Sequence, residues 1–130
     1  MLKVEVSCGE LIDKITILRI KAEQINDSAK LDNITRELSI LNKVALISLS
    51  PSKKLNELTS ELKAVNETLW KIEDEIRACE SQKDFGERFI NLARSVYFTN
   101  DKRSDIKRQI NQHLGSSLME EKSYTNYQKI

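Results

Sequence analysis

One proline and three glycines in 130 residues leave this chain short of the residues that make tight turns. A sandwich, a barrel or a doubly wound sheet needs such turns every ten residues or so, so these architectures are excluded. Two cysteines, Cys8 and Cys79, without a CxxC spacing, and a single histidine, His113, supply no ligand set for zinc or haem. Di-iron chemistry lacks its Glu-x-x-His pairs, so no metal and no cofactor is expected. There is no P-loop, GxGxxG or GxSxG, which removes the familiar forms of nucleotide binding and serine hydrolysis. The longest apolar run, Val44 to Ile47, falls far short of the roughly 20 residues of a membrane span, and the N-terminus has no signal-peptide core. The expectation is a soluble cytoplasmic protein. With 21 Lys plus Arg against 20 Asp plus Glu the net charge is +1, so no long-range field draws in nucleic acid or an anionic membrane.

What is present is helical periodicity. After a very short extended segment at Lys3 to Val6, Ser7-Cys8-Gly9-Glu10 has the spacing of a capping box. Leu11, Ile15, Leu18, Ala22 and Ile25 mark the seam of a first helix from about Glu10 to Ile25. Asp27 or Ser28 caps a second, whose seam runs Leu31, Ile34, Leu38, Leu41 and Ala45 to an end near Ser48. Ser50-Pro51 reads as a cap followed by proline at the first helical position. The third helix, Pro51 to Glu80, places Leu55, Leu58, Leu62, Val65, Leu69, Ile72, Ile76 and Cys79 at successive a and d positions, a coiled-coil seam. After a turn over Ser81 to Asp84, the register of Phe85, Phe89, Leu92 and Val96 resumes at Ile106 and Ile110 in a fourth helix that ends at Leu114. Gly115 suits a left-handed C-cap, and His113 is placed to interact with the last carbonyls. The expected fold is all-α: an antiparallel bundle of two helical hairpins over residues 1–115, the second long and coiled-coil-like. A polar tail, residues 116–130, follows, either docked through Leu118, Met119, Tyr124 and Tyr127 or disordered.

Two features do not fit a simple bundle. Helices one and two are apolar on a second face, where Ile17, Ile20, Ile40, Val44 and Ile47 lie, and a homodimer burying these residues is expected. In helix four the seam is interrupted by Thr99 and Arg103, with Arg94, Tyr97, Asn100, Asp101, Lys102 and Lys107 around them. This patch marks a helix break at Thr99-Asn100-Asp101, or an ion pair from Arg103 to a glutamate that fixes register, with Glu61, Glu73, Glu75 and Glu80 on the matching flanks of helix three, or else donors gathered for an anionic or polyhydroxyl ligand. Asp13 and Lys14 join the patch only if helix one crosses helix four near Asn100. Trp70, beside the third seam, reads as core packing.

The stretches Val6 to Leu18, Glu61 to Glu67, Ile72 to Arg77, Ala93 to Tyr97, Thr99-Asn100-Asp101 and Glu120-Glu121-Lys122-Ser123-Tyr124 resemble a family of small bacterial proteins of unknown function, over almost the whole chain. The resemblance supplies no catalytic residue. Proximity of such proteins to genes for glycosyl transfer implies sugar nucleotides or glycan phosphates as ligands.

The leading expectation is a homodimeric helical interaction or scaffold module, with itself or another protein as partner. The alternative is an enzyme or binding protein for a small anionic or sugar-phosphate ligand, using Arg94, Tyr97, Asn100, Asp101, Arg103 and Lys107, with Asp13, Lys14 and the tail residues Glu121, Lys122 and Tyr124. Nucleic-acid binding through Lys102, Arg103, Lys107 and Arg108 is weakened by Asp101 and Asp105 among them.

Overall fold

The structure, a computed structural model, describes residues 1–128; residues 129–130 of the expected tail lie outside it. Four helices follow one another: α1 (Cys8–Gln24), α2 (Ser28–Ser48), α3 (Lys53–Ser81) and α4 (Glu87–Leu114), with no strand among the described residues. Lys3 to Val6 forms no strand pairing among the described residues.

The caps explain the boundaries. Ser7 accepts from the Glu10 amide, Asp27 from the Lys30 amide and Ser52 from the Leu55 amide, each satisfying a backbone donor that the first helical turn leaves orphaned. Ser52, rather than Ser50, caps α3, so Pro51 lies before the helix. Helix α4 is continuous through Thr99-Asn100-Asp101 and closes on Gly115, whose φ of +66° is left-handed backbone that costs glycine little. At the other end of the long pair, Lys83 takes a left-handed conformation as the Asp84 amide bonds the Cys79 carbonyl.

Helices α3 and α4 run alongside each other over most of their lengths, about 43 Å for the 29 residues of α3 at about 1.5 Å per residue. Arg88 donates to Cys79 Sγ near the connecting turn, and Ser52 Oγ and His113 Nε2 are hydrogen-bonded at 3.0 Å at the far end. His113 thus ties α4 to the cap of α3 instead of turning to the carbonyls of its own helix. Helix α1 packs against all three others. Its Ile12 joins Leu55, Leu58 and Leu62 of α3 and Ile106 and Ile110 of α4 in the core.

This central position accounts for an α1 that is apolar on more than one face. Ile20, expected on a dimer surface, is 2% exposed within the single chain, and Ile17 is half-buried beside Leu69 and Trp70. Helix α2 packs on α1 alone, and Ile34 is its one buried residue. Ile40, Val44 and Ile47 of its second face are exposed, as is Leu46 on its flank. Among the described residues no helix is long and apolar enough to cross a membrane.

Candidate functional site

Helix α1 does cross α4 at the polar patch, and the crossing is held by three successive contacts. The Gly9 amide donates to Asn111 Oδ1 at 2.6 Å, Lys107 Nζ to Glu10 Oε2 at 2.8 Å, and Arg103 Nε to Asp13 Oδ1 at 3.0 Å, with a second bond from Arg103 Nη2 to Asp13 Oδ2. Positions 103, 107 and 111 are four residues apart and share one face of α4. A side chain at position 9 would not fit: a Cβ there would stand 2.5 Å from the Lys107 carbonyl oxygen, so glycine sets how closely the two helices approach. Glu10 has left the capping box, because its carboxylate reaches Lys107 rather than the Ser7 amide.

Asp13 is 1% exposed, and a bare carboxylate there would be costly. It is satisfied by the Arg103 fork and by Asn66 Nδ2 of α3 at 2.9 Å; Asn66 also donates to Thr16 Oγ1 at 3.0 Å, and Thr16 in turn donates to the Asp13 carbonyl. Three helices are therefore joined by one buried polar network, which the hydrogen bond and charge of Asp13 reinforce by raising the Arg103 pKa against the effect of burial. Lys107 is the other deep charge, 7% exposed. Burial, the largest single influence, lowers its pKa, but the hydrogen bonds of Glu10 and of the tail residue Glu120, at 2.9 Å, together outweigh it and raise the value.

The tail crosses this region without regular secondary structure. Arg108 Nη1 meets Glu121 at 3.1 Å, Lys122 lies 3.9 Å from Asp101, and the Tyr127 hydroxyl donates to Asp101, which pushes its pKa up to about 12. The Tyr127 ring packs on Tyr97 and Phe98, with centroids 5.2 and 5.0 Å away. Between tail and helix a cleft of about 390 Å³ remains. Tyr97, Asn100, Asp101, Arg103 and Lys107 line it from α4, and Lys122 and Tyr124 from the tail.

Seven of the eleven residues proposed from sequence for a ligand thus converge on one cleft. The other four lie elsewhere. Asp13 stands behind Arg103 as its buried counter-ion. Lys14 is exposed and faces Glu37 of α2 at 4.0 Å, because it is one residue, about 100° of helix, away from Asp13. Arg94 lays its guanidinium over the Phe98 ring at 5.9 Å, and Glu121 is held outside by Arg108. Ser104 and Glu120 also line the cleft and are not among the eleven, although Glu120 opens the tail motif Glu120-Glu121-Lys122-Ser123-Tyr124. A buried lysine demands a carboxylate, which was a usable signal; choosing Glu120 over its neighbour Glu121 required the path of the tail. Of the four basic residues considered for nucleic acid, Arg103, Lys107 and Arg108 are engaged by carboxylates. Among the described residues no three His, Cys, Asp or Glu side chains gather as metal ligands.

Fold and site together define an all-helical protein with a charged cleft between its last helix and its tail. By sequence the chain belongs to DUF6165, a family of unknown function, which it matches over residues 2–129. No curated protein and no solved structure matches it.

Proposed function

We propose that this protein binds a small anionic, hydroxyl-bearing ligand, of which a sugar phosphate is one form, in the cleft between α4 and the tail. The observation that carries the reading is the convergence there of Arg103, Lys107 and Lys122 with the amide of Asn100, the Ser104 hydroxyl and the rings of Tyr97 and Tyr124. Cations bind the charge, neutral donors and acceptors read hydroxyls, and aromatic faces cover a ring's apolar side. Cys8 and Cys79 are free thiols, which suits the reducing cytoplasm. A ligand of the folded state raises the melting temperature, so a thermal-shift screen against sugar phosphates, sugar nucleotides and dicarboxylates is the test. The expected result is a rise in the wild type that is lost in Asn100→Ala and Lys122→Gln, neither of which touches the buried Asp13 network. A screen without any shift counts against the reading.

A second reading, a homodimeric interaction module, is favoured by a separate observation. Helix α2 has 21 residues and one buried side chain, while Leu46 and Ile47 are 83% and 86% exposed. A helix of that length is held by burying an apolar face, and a second copy of this chain would supply the missing cover. Light scattering on the eluting protein should give twice the chain mass for the wild type and one chain mass for Val44→Glu with Ile47→Glu. A monomeric wild type overturns it.

A further inference from the structure

Each cation of the cleft already faces a carboxylate. Arg103 is matched by Asp13 and Lys107 by Glu10, both on α1, and Lys122 lies near Asp101. Glu120 brings one more negative charge to Lys107 than these pairs require. An anion that takes a place on Lys107 therefore competes with a carboxylate, and the four candidates are not equally movable. Asp13 is buried and forked onto Arg103; Glu10 and Asp101 are fixed on helices. Glu120 alone sits on irregular chain, with its side chain half exposed.

The segment that carries it is weakly held. Apart from the Lys107 contact and the half-buried Met119, its anchors are exposed: Arg108 to Glu121 and to the Glu120 carbonyl, Lys122 near Asp101, and Tyr127 against Asp101 and two rings. Exposed ion pairs of this kind contribute little. A second, open groove of about 540 Å³ shares Tyr97, Asp101, Lys122 and Tyr124 with the first and is lined further by residues 125–128.

We propose that Glu120 is a built-in occupant of the anion position on Lys107, and that the ligand of the cleft is a hydroxylated monocarboxylate whose own carboxylate takes that position and releases the tail. The inference rests on the reading of the cleft as a ligand site and names the ligand's charged group. The position already accepts a carboxylate, at 2.9 Å from Lys107 Nζ. Exchange of one singly charged group for another leaves the charge balance unchanged, whereas a phosphate dianion adds a negative charge beside Glu10, Asp13 and Asp101. Arg103 Nη1, which bonds no other group among the described residues, and the Ser104 hydroxyl stand on the same cleft for the ligand's remaining oxygens.

The experiment compares the full-length wild type with Glu120→Ala, a change on the tail that leaves the helical core untouched, by titration calorimetry at fixed ionic strength. The probes are glucuronate, glucose and glucose 6-phosphate, and the rate of tryptic cleavage after Lys122 reports tail release. Glucuronate is expected to bind Glu120→Ala about tenfold more tightly than the wild type and to accelerate cleavage of the wild type, while glucose binds neither. Equal glucuronate affinity in the two proteins, with unchanged cleavage, overturns Glu120 as the occupant and leaves the cleft a ligand site. Tighter binding of glucose 6-phosphate than of glucuronate by Glu120→Ala overturns the carboxylate assignment. Failure of both folded proteins to bind either anion overturns the site together with the inference.

Discussion

Arg103 shows how one position can serve stability and recognition together. Two of its nitrogens neutralise Asp13, while its side chain remains 30% exposed on the cleft. Removing the guanidinium leaves the Asp13 carboxylate with Asn66 as its remaining side-chain partner in a water-poor site. Arg103→Leu is therefore expected to cost about 3 kcal/mol in denaturant unfolding, the lower end for a broken buried pair because the arginine is partly solvated. Adding Asp13→Asn removes the stranded charge and should recover part of the loss, a coupling that a double-mutant cycle reads directly. Arg103 stands out as a charge at a seam position, but its partner is Asp13, 90 residues away on α1, rather than a glutamate of α3, and only the crossing of α1 and α4 selects it. Asn66, on α3, was hidden for the same reason: an asparagine beside a leucine seam looks like any flanking polar residue.

The crossing of α1 and α4 is a matter of elements rather than of single contacts. Its closeness follows from Gly9, its register from the spacing of Arg103, Lys107 and Asn111, and its polarity from the orphan amides at the start of α1. Asn111 and, more loosely, Ser116 at 3.4 Å reach those amides, so a helix end that would be costly to bury is satisfied by the neighbouring element. Gly9→Ala forces a methyl group against the Lys107 carbonyl and should destabilise the fold by about 1 to 3 kcal/mol, seen as a lower denaturant midpoint. An alanine normally improves a helix, so this loss separates close packing from helix propensity. The extents of all four helices could be read from periodicity and caps to within a few residues. The start of α3 shifted because Ser50 and Ser52 are both plausible caps, and only the observed hydrogen bond to Leu55 chooses between them.

For the molecule as a whole, the tail is the segment whose attachment depends most on charge. Glu120 faces Lys107 and Arg103 from α4 and Lys122 from the tail itself. Its hydrogen bond to Lys107 holds its pKa below the ordinary glutamate value, with burial opposing. A carboxylate depressed in the folded state stabilises above its unfolded value, and that contribution is lost as pH falls through the lowered folded value. Lys107, facing Glu10, Asp13 and Glu120, works in the opposite sense: its contribution is present below the unfolded lysine value and lost as pH rises through the raised one. The tail should thus stay attached across neutral pH and detach at the acid end through Glu120. Amide shifts of residues 122–127, followed by NMR as pH is lowered, should move to unstructured values before helical circular dichroism is lost; simultaneous loss of both would count against a separately held tail.

Sequence by itself determined the helices, their caps and the location of a polar patch on the fourth, because periodicity, capping chemistry and left-handed glycine act over a few residues. Scarcity of proline and glycine did the same for fold class. Only the tertiary structure decided that Asp13 and Lys14 part company, that Ile20 is internal while Ile40, Val44 and Ile47 face outward, and that Glu120 rather than Glu121 meets Lys107. Each of these depends on which way a helix is turned against a partner distant in sequence, or on the route of a tail with no period of its own. A difference of one residue is about 100° on a helix, so long-range packing, rather than local preference, selects the side chains that enter the cleft.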